Sequence, residues 1–295
     1  MDRSRCPLKL VTLLLCLLPS ISSDRPNDML GLKEKCGKSD ATDYRIFGGT
    51  SANKGEFPWA GLFRVKLKND KDSRCSGVLI TDSVFLTAAH CVCRRSSSCY
   101  DASKLEVAFG YKNFNRASNK FSILDYKTYK IISDSDVGSA GDFALLKVNI
   151  SDRYVKKLGL RPICLPDKDY SVEYSKDQAF TAIGWGSMQA YFDFPTKLQK
   201  ARFTYVNNTE CSRLWRSNIS NQIICTASDK GQDICQGDSG GPLMIQIESV
   251  WFLTGVAMSN GGTCGAEDES PAMFGSVFFF KDWFKSIVAQ FNGAG

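Results

Sequence analysis

The chain has 295 residues, of which 43% are hydrophobic and 23% are charged, and its formal net charge at pH 7 is +6. These proportions are ordinary for a globular protein and exclude a disordered chain. The sequence has no dense stretch of Lys and Arg interleaved with aromatic residues, so we expect no nucleic acid among its partners.

The first 22 residues have the pattern of a secretory signal. Basic residues precede an apolar run over residues 10–18, and small residues follow it. The run is too short for a membrane-spanning helix, which needs about 20 apolar residues, and no later stretch reaches that length. We therefore predict that residues 1–22 are a signal peptide and that the mature protein is soluble, extracellular and without a membrane anchor.

Residues 23–45 form a polar segment that is rich in Gly, Lys and Asp and contains one cysteine. The segment is too short to bury a hydrophobic core, so we interpret it as a propeptide and expect no accessory module within it. Residues 46–295 are then expected to form the functional domain.

Short runs of β-branched and aromatic residues, broken by Gly, Asn, Asp and Ser, follow residue 46. Examples are residues 59–65, 77–86, 105–110, 179–184 and 250–257. Many short strands at this spacing predict an all-β fold of paired antiparallel barrels. Residues 281–291 change period, with apolar residues at intervals of three and four, which predicts an amphipathic C-terminal helix.

Three residues of the predicted functional domain are candidates for nucleophilic catalysis. His90, the one histidine of the chain, lies in LTAAHC at residues 86–91; Asp142 precedes an apolar run; and Ser239 lies in GDSGGP at residues 237–242. A serine hydroxyl becomes an effective nucleophile when a base takes its proton and donors await the oxyanion. Flanking glycines let backbone N–H groups turn towards a reacting carbonyl. Each residue also has a structural interpretation: a buried histidine, an acid that ends a loop, and a polar turn.

The order His90, Asp142, Ser239 resembles the catalytic triad of the chymotrypsin-like, or trypsin-family, serine endopeptidases. Separate matches support the resemblance: PICLP at residues 162–166 and IGWG at residues 183–186. It covers nearly all of the predicted functional domain. The resemblance implies two six-stranded antiparallel β-barrels followed by a C-terminal α-helix.

The resemblance also implies a role for each candidate. His90 would be the general base, Asp142 the group that orients it, and Ser239 the nucleophile that forms an acyl-enzyme. The backbone N–H groups of Gly237 and Ser239 would form the oxyanion hole. Removing any member of such a triad should reduce the rate by several orders of magnitude.

By the same resemblance, RIFGG at residues 45–49 is a zymogen cleavage site, although Phe47 stands where relatives usually have Val. An activating protease that cuts after Arg45 would free the amine of Ile46 to pair with the carboxylate of Asp238. A buried charge needs such a partner, because leaving it unpaired costs about 3–5 kcal/mol. We therefore predict an inactive precursor; an ordinary linker is the alternative.

Asp233 lies at the position that forms the floor of the primary specificity pocket in trypsin-like relatives. A carboxylate there would select Arg or Lys, whereas an exposed loop acid is the alternative. The pocket wall that usually reads Ser-Trp-Gly corresponds to residues 258–260 or, with one insertion, 259–261, so Asn260 belongs to it in either alignment. Ala272 stands where glycine is typical, and one methyl group matters in a narrow slot.

The chain has twelve cysteines, two of them in the predicted signal peptide. The remaining ten, in an oxidising compartment, predict five disulfides. A metal site is the alternative, but one histidine near Cys91 and Cys93 does not form a convincing zinc site, and we expect no metal or other cofactor. The resemblance implies the pairs Cys36–Cys164, Cys75–Cys91, Cys211–Cys225 and Cys235–Cys264. Cys93 and Cys99 are then left over, and we expect them to close a short local loop.

Asn149, Asn207 and Asn218 begin N-glycosylation sequons, and we predict that at least one carries a glycan. The leading hypothesis is a secreted zymogen whose active form cleaves proteins or peptides after Arg or Lys, with protein protease inhibitors as further partners. The alternative from another class is a weakly active or inactive homologue that acts as a binding or regulatory protein. A preference for large apolar residues is the alternative among enzymes, and Asp233 disfavours it.

Overall fold

The structure, a computed structural model, describes residues 28–32, 35–40, 50–67, 73–93, 98–110, 119–130, 140–170, 174, 178–187, 194–228, 233–259 and 270–293. Strands and helices are numbered in chain order within these residues. The strands are β1 Thr50–Ser51, β2 Ala60–Val65, β3 Ser73–Leu79, β4 Val84–Thr87, β5 Leu105–Phe109, β6 Lys120–Thr128, β7 Ala144–Val148, β8 Ala179–Gly184, β9 Gln199–Val206, β10 Ile223–Ser228, β11 Pro242–Ile247, β12 Val250–Ser259 and β13 Ala272–Ser276. The α-helices are α1 Ala89–Val92, α2 Asp152–Leu158, α3 Asn208–Trp215 and α4 Lys281–Phe291.

Six antiparallel strands close the first barrel in the order β2-β3-β4-β7-β6-β5. Aromatic rings fill its interior, among them those of Phe85 and Phe109, whose centroids are 5.9 Å apart. Two glycines leave room for these rings: a Cβ on Gly61 would lie 2.6 Å from Cε2 of Phe85, and one on Gly77 would lie 2.5 Å from Cζ of Phe85. A side chain at either position would therefore overpack the barrel.

The second barrel contains β8 to β13 in the order β9-β10-β13-β12-β11-β8, and the pairing of β8 with β9 closes it. The short strand β1 pairs with β9 as an additional member of this sheet. The prediction of two six-stranded antiparallel barrels is thus confirmed.

One predicted run contains two strands. Residues 77–86 include the end of β3, a turn, and the beginning of β4. The hydroxyl oxygen of Thr81 accepts hydrogen bonds from the backbone N–H groups of Ser83 and Val84, at 3.3 and 3.0 Å. This side chain stabilises the turn, as threonine hydroxyls do at such positions.

The C-terminal helix α4 is present, as predicted. Phe284, Ile287 and Val288 are buried on one face of it, and polar residues cover the opposite face. In the described part of the chain, no helix is both long enough and apolar enough to cross a membrane.

Part of the predicted propeptide packs on the second barrel. The N–H of Met29 donates to the carbonyl of Leu165 at 2.8 Å, and the N–H of Trp251 donates to the carbonyl of Gly37 at 2.9 Å. The disulfide between Cys36 and Cys164 joins the same two parts of the chain. The segment is therefore attached both covalently and by backbone hydrogen bonds.

Candidate active site

His90 and Asp142 are in direct contact. His90 lies on helix α1, and Nδ1 of its ring lies 2.5 Å from Oδ2 of Asp142. The backbone N–H of His90 also donates to Oδ1 of Asp142 at 2.9 Å. The Asp142 side chain is only 3% exposed. Both oxygens of one buried carboxylate thus hold a single histidine, which fixes the position of its ring and leaves Nε2 for another partner.

The loop that carries Asp142 makes a tight turn before β7. Gly141 has φ +106°, and the N–H of Phe143 donates to the carbonyl of Gly141 at 2.8 Å. The N–H of Tyr129, just beyond β6, donates to the carbonyl of Phe143 at 2.9 Å. The carboxylate therefore projects from a turn that the neighbouring β6 edge stabilises.

Ser239 lies in the loop before β11, and contacts with the first barrel place it beside α1. Its carbonyl oxygen accepts the N–H of Ser76 on β3 at 2.9 Å. The same oxygen lies 3.8 Å from Sγ of Cys91, the residue that follows His90. The disulfide Cys75–Cys91 connects β3 to α1 at this point. The structure thus brings all three candidate residues to one region between the barrels.

Glycines determine the backbone around Ser239. Gly237 has φ +98° and Gly240 has φ +78°, values that side chains rarely adopt. A Cβ on Gly240 would also lie 2.6 Å from the carbonyl oxygen of Ser76. Among the described residues, no protein acceptor takes the N–H of Gly237 or of Ser239. These two donors are consequently available to a ligand.

Asp238, which precedes the candidate nucleophile, has an enclosed carboxylate although the residue as a whole is half-buried. Its Oδ1 accepts the N–H of Gly186 at 2.7 Å, and its Oδ2 accepts the N–H of Cys235 at 3.0 Å. A Cβ on Gly184 or Gly186 would collide with the carboxylate, so both positions require glycine. Burial raises the pKa of Asp238 to about 6, and the nearby negative charge of Asp233 adds to this rise. The predicted cleavage residues, Arg45 and Ile46, lie outside the described residues.

The predicted specificity residues are partly described. Asp233 is half-buried, and its Oδ1 accepts the N–H of Ile234 at 2.7 Å. Ala272 is buried at the beginning of β13, opposite Thr226 on β10. Asn260 lies outside the described residues.

A β-bulge interrupts β12 where the predicted pocket wall begins. Ala257 pairs with Phe274 and Ser259 pairs with Met273. Two residues of β13 that are adjacent in the chain thus face three residues of β12, and Met258 is the additional one. The sequence left open whether an insertion occurs near this point. Met258, the additional residue, is also the residue at which the two alignments diverge.

Four disulfides join the described cysteines: Cys36–Cys164, Cys75–Cys91, Cys93–Cys99 and Cys211–Cys225. Cys235 is also disulfide-bonded. Its predicted partner, Cys264, lies outside the described residues. The sulfurs of Cys75 and Cys91 lie close to the His90 ring, but they are bonded to each other and supply no thiolate for a metal.

All three sequon asparagines are exposed: Asn149, Asn207 and Asn218. Asn207 also caps helix α3, because its Oδ1 accepts the N–H of Glu210 at 2.9 Å. Glycosylation modifies the side-chain nitrogen, so this cap is compatible with a glycan.

Ser76 supports the candidate site, although its sequence surroundings do not mark it as a site residue. Its hydroxyl donates to the carbonyl of Gly237 at 2.9 Å, while its backbone N–H donates to the carbonyl of Ser239. It therefore holds both ends of the segment that carries the candidate oxyanion donors. The one signal in the sequence is its position directly after Cys75. The expected disulfide from Cys75 to Cys91 places this part of the chain near His90.

Comparison with known proteins places these features in a family. A family model described as Trypsin matches residues 46–284. Coagulation factor XI of Bos taurus is 32% identical over 243 residues, which are 81% of this chain and 37% of that protein. Transmembrane protease serine 11C of Mus musculus is 28% identical over 251 residues, 82% of this chain and 53% of that protein. CLIP domain-containing serine protease HP8 of Bombyx mori is 30% identical over 288 residues, 91% of this chain and 76% of that protein.

Proposed function

The chain belongs to the trypsin family, and from that premise we propose that it is a secreted serine endopeptidase, made as an inactive precursor, that cleaves after Arg or Lys. The observation that carries the proposal is the pair of hydrogen bonds from His90 to the buried carboxylate of Asp142. The arrangement holds the imidazole by Nδ1, and the Ser239 loop lies beside the same helix, which supports His90 as the base that Ser239 needs.

The proposed reaction proceeds through an acyl-enzyme. His90 takes the hydroxyl proton of Ser239 as its oxygen attacks the scissile carbonyl, and Asp142 stabilises the imidazolium that forms. The oxyanion accepts hydrogen bonds from the N–H groups of Gly237 and Ser239. His90 then protonates the leaving amine. Water attacks the acyl carbonyl while His90 takes its proton, and His90 returns that proton to the Ser239 oxygen as the bond between this oxygen and the acyl group breaks.

The surroundings of Asp238 support activation by cleavage. Its carboxylate is enclosed, and no Lys or Arg in the described part of the chain pairs with it. A new amine at Ile46, produced when an activating protease cuts after Arg45, would supply the missing positive charge. The pairing would order the segment from Gly237 to Ser239, because Asp238 is the middle residue of that segment.

The position of Asp233 supports cleavage after basic residues. Asp233 is half-buried and precedes Ser239 by six residues, so it belongs to the same loop region as the candidate nucleophile. A substrate guanidinium or ammonium would pair with this carboxylate. The buried methyl group of Ala272 would narrow the pocket and lower its efficiency with the longer Arg side chain.

Secretion is supported by the signal-like residues 1–22 and by the disulfides of the described chain, which require an oxidising compartment. The exposed asparagines Asn149, Asn207 and Asn218 would be available for glycosylation. Protein protease inhibitors that mimic a substrate would be further partners. The protein from its native source should gain gel mobility on endoglycosidase treatment.

One assay tests the proposed activity and its alternatives. The chain, cleaved after Arg45, is incubated with matched ester substrates of arginine, phenylalanine and alanine. Fast hydrolysis of the arginine ester alone supports the proposal. Fast hydrolysis of the phenylalanine ester indicates a pocket for large apolar residues instead. No hydrolysis above that of the Ser239→Ala variant indicates the inactive homologue that acts by binding.

A further inference from the structure

We propose that Tyr129 is a positioning residue for Asp142, and that its ring transmits the position of helix α4 to the catalytic carboxylate. The inference rests on the proposed function, because it assigns a residue that supports the same triad. Tyr129 touches neither substrate nor the reacting atoms; it acts through the turn of Gly141, Asp142 and Phe143.

The ring of Tyr129 lies directly against this turn. A Cβ on Gly141 would be 2.8 Å from Cδ1 of Tyr129 and 3.0 Å from its Cε1. The N–H of Tyr129 donates to the carbonyl of Phe143 at 2.9 Å. One residue thus contacts the backbone on both sides of Asp142, by its ring on one side and by its main chain on the other.

Two rings of the C-terminal region hold the Tyr129 ring in place. The centroid of Phe280 lies 4.9 Å from that of Tyr129 at an interplanar angle of 74°, and that of Trp283 lies 5.5 Å away at 79°. These are edge-to-face contacts, the arrangement that aromatic pairs favour. The same region also contacts Phe143, whose ring lies 4.9 Å from Phe280 and 5.3 Å from Phe284. Tyr129 and Phe143 are therefore both packed against Phe280 and helix α4, which begins at the next residue.

The carboxylate depends on this support for its position. Among the described residues, His90 is the one hydrogen-bond donor to Asp142, and the turn that carries the carboxylate is its other support. Its direction is then set by its own backbone turn, and a shift of that turn moves the carboxylate together with the His90 ring. Displacements of about 1 Å in a catalytic group can reduce turnover by about 100-fold.

A second tyrosine of similar exposure allows the proposed role of Tyr129 to be distinguished from a purely structural one. Tyr129 is 49% exposed, and Tyr154, on α2, is 45% exposed. Tyr154 also makes an edge-to-face contact, with Phe121 at 5.6 Å, but it contacts the first barrel away from the Asp142 turn. Tyr154→Ala is therefore a matched control for loss of a half-exposed aromatic contact.

The test compares Tyr129→Ala, Tyr129→Leu, Tyr129→Phe and Tyr154→Ala in the cleaved chain. Steady-state kinetics with the best of the three esters give kcat and KM, burst titration counts the sites that acylate, and thermal melting reports folding. We expect Tyr129→Ala and Tyr129→Leu to lower kcat about tenfold to a hundredfold at nearly unchanged KM. Tyr129→Phe should retain kcat, because the ring and not the hydroxyl makes the contact, and Tyr154→Ala should match the wild type.

Three results would overturn the inference: a kcat of Tyr129→Leu within twofold of Tyr154→Ala, an equal loss in Tyr129→Phe, or a rise in KM without a fall in kcat. If Tyr129→Ala does not fold, the Leu and Phe variants decide the matter. A wild type that hydrolyses none of the esters would refute the proposed function itself, which is a different outcome from equal activity of the variants.

Discussion

The backbone N–H of Gly186 donates a 2.7 Å hydrogen bond to the carboxylate of Asp238, the residue directly before Ser239. The contact connects the end of β8 to the nucleophile loop. Because Gly186 must lack a side chain to make it, the IGWG and GDSGGP motifs are two halves of one packing arrangement. The ionisation state of Asp238 should therefore affect the backbone that presents the oxyanion donors.

The stability of the uncleaved chain should depend on pH through Asp238. Burial raises the pKa of this group from its ordinary value of 3.8 to about 6. The folded chain therefore binds this proton more tightly than the unfolded chain does, so its stabilising contribution is full below about pH 3.8 and is lost as the pH rises through about 6. The difference amounts to roughly 3 kcal/mol.

The measurement is urea unfolding of the wild type and of Asp238→Asn between pH 4 and pH 7. The wild type should lose stability relative to the variant as the pH rises. Cleavage after Arg45 should weaken this dependence, because the new amine would pair with the carboxylate. Parallel curves for the two uncleaved proteins would show that Asp238 is not responsible.

Replacement of Asp233 by Ser tests the proposed pocket floor. Cleavage after arginine should fall by orders of magnitude, because the cationic side chain would be desolvated without a counter-charge. Reaction of Ser239 with a small phosphonylating reagent should continue at nearly the wild-type rate, which serves as the internal control. If the wild type already cleaves arginine esters poorly and the variant differs little, the pocket walls exclude basic side chains and the specificity proposal is wrong.

Breaking a buried ion pair should destabilise the fold, because one charge is left buried without its partner. Nζ of Lys200 on β9 lies 2.5 Å from Oε1 of Glu56, and the two side chains are 3% and 1% exposed. Lys200→Met should cost about 3–5 kcal/mol, because it leaves a carboxylate buried without its partner.

The exposed pair between Arg213 and Glu210 on α3 provides the comparison. Arg213→Met should change the free energy of unfolding by less than about 1 kcal/mol, since exposed pairs contribute little. The check is the midpoint of urea unfolding for both variants. Equal effects of the two substitutions would show that the Lys200 pair is not the stabilising contact that its burial indicates.

Local motifs explain why much of this molecule could be predicted from its sequence. GDSGGP specifies its own turn, because Gly237 and Gly240 adopt φ values that favour glycine. The alternation of short apolar runs likewise predicted the barrels. These features depend on residues that are close in the sequence, so the sequence displays them directly.

Contacts between distant parts of the chain could not be predicted in this way. Ser76 reaches Gly237 only because the two barrels pack together, and its position after Cys75 indicates nearness to His90 but not a bond to Gly237. Tyr129 and Trp283 meet through the packing of α4, and the bulge at Met258 becomes visible only in the register of β12 against β13. Each of these depends on tertiary packing, which overrides local pattern.

The central claim is that His90 activates Ser239 as a nucleophile, and chemical labelling tests it most directly. The chain cleaved after Arg45 is treated with a small phosphonylating reagent, followed by intact-mass measurement and peptide mapping. We predict a single adduct on Ser239, formed orders of magnitude faster than in the urea-unfolded protein and lost in His90→Ala. An adduct on other serines, a rate no higher than that of the unfolded chain, or equal labelling of His90→Ala would contradict the account.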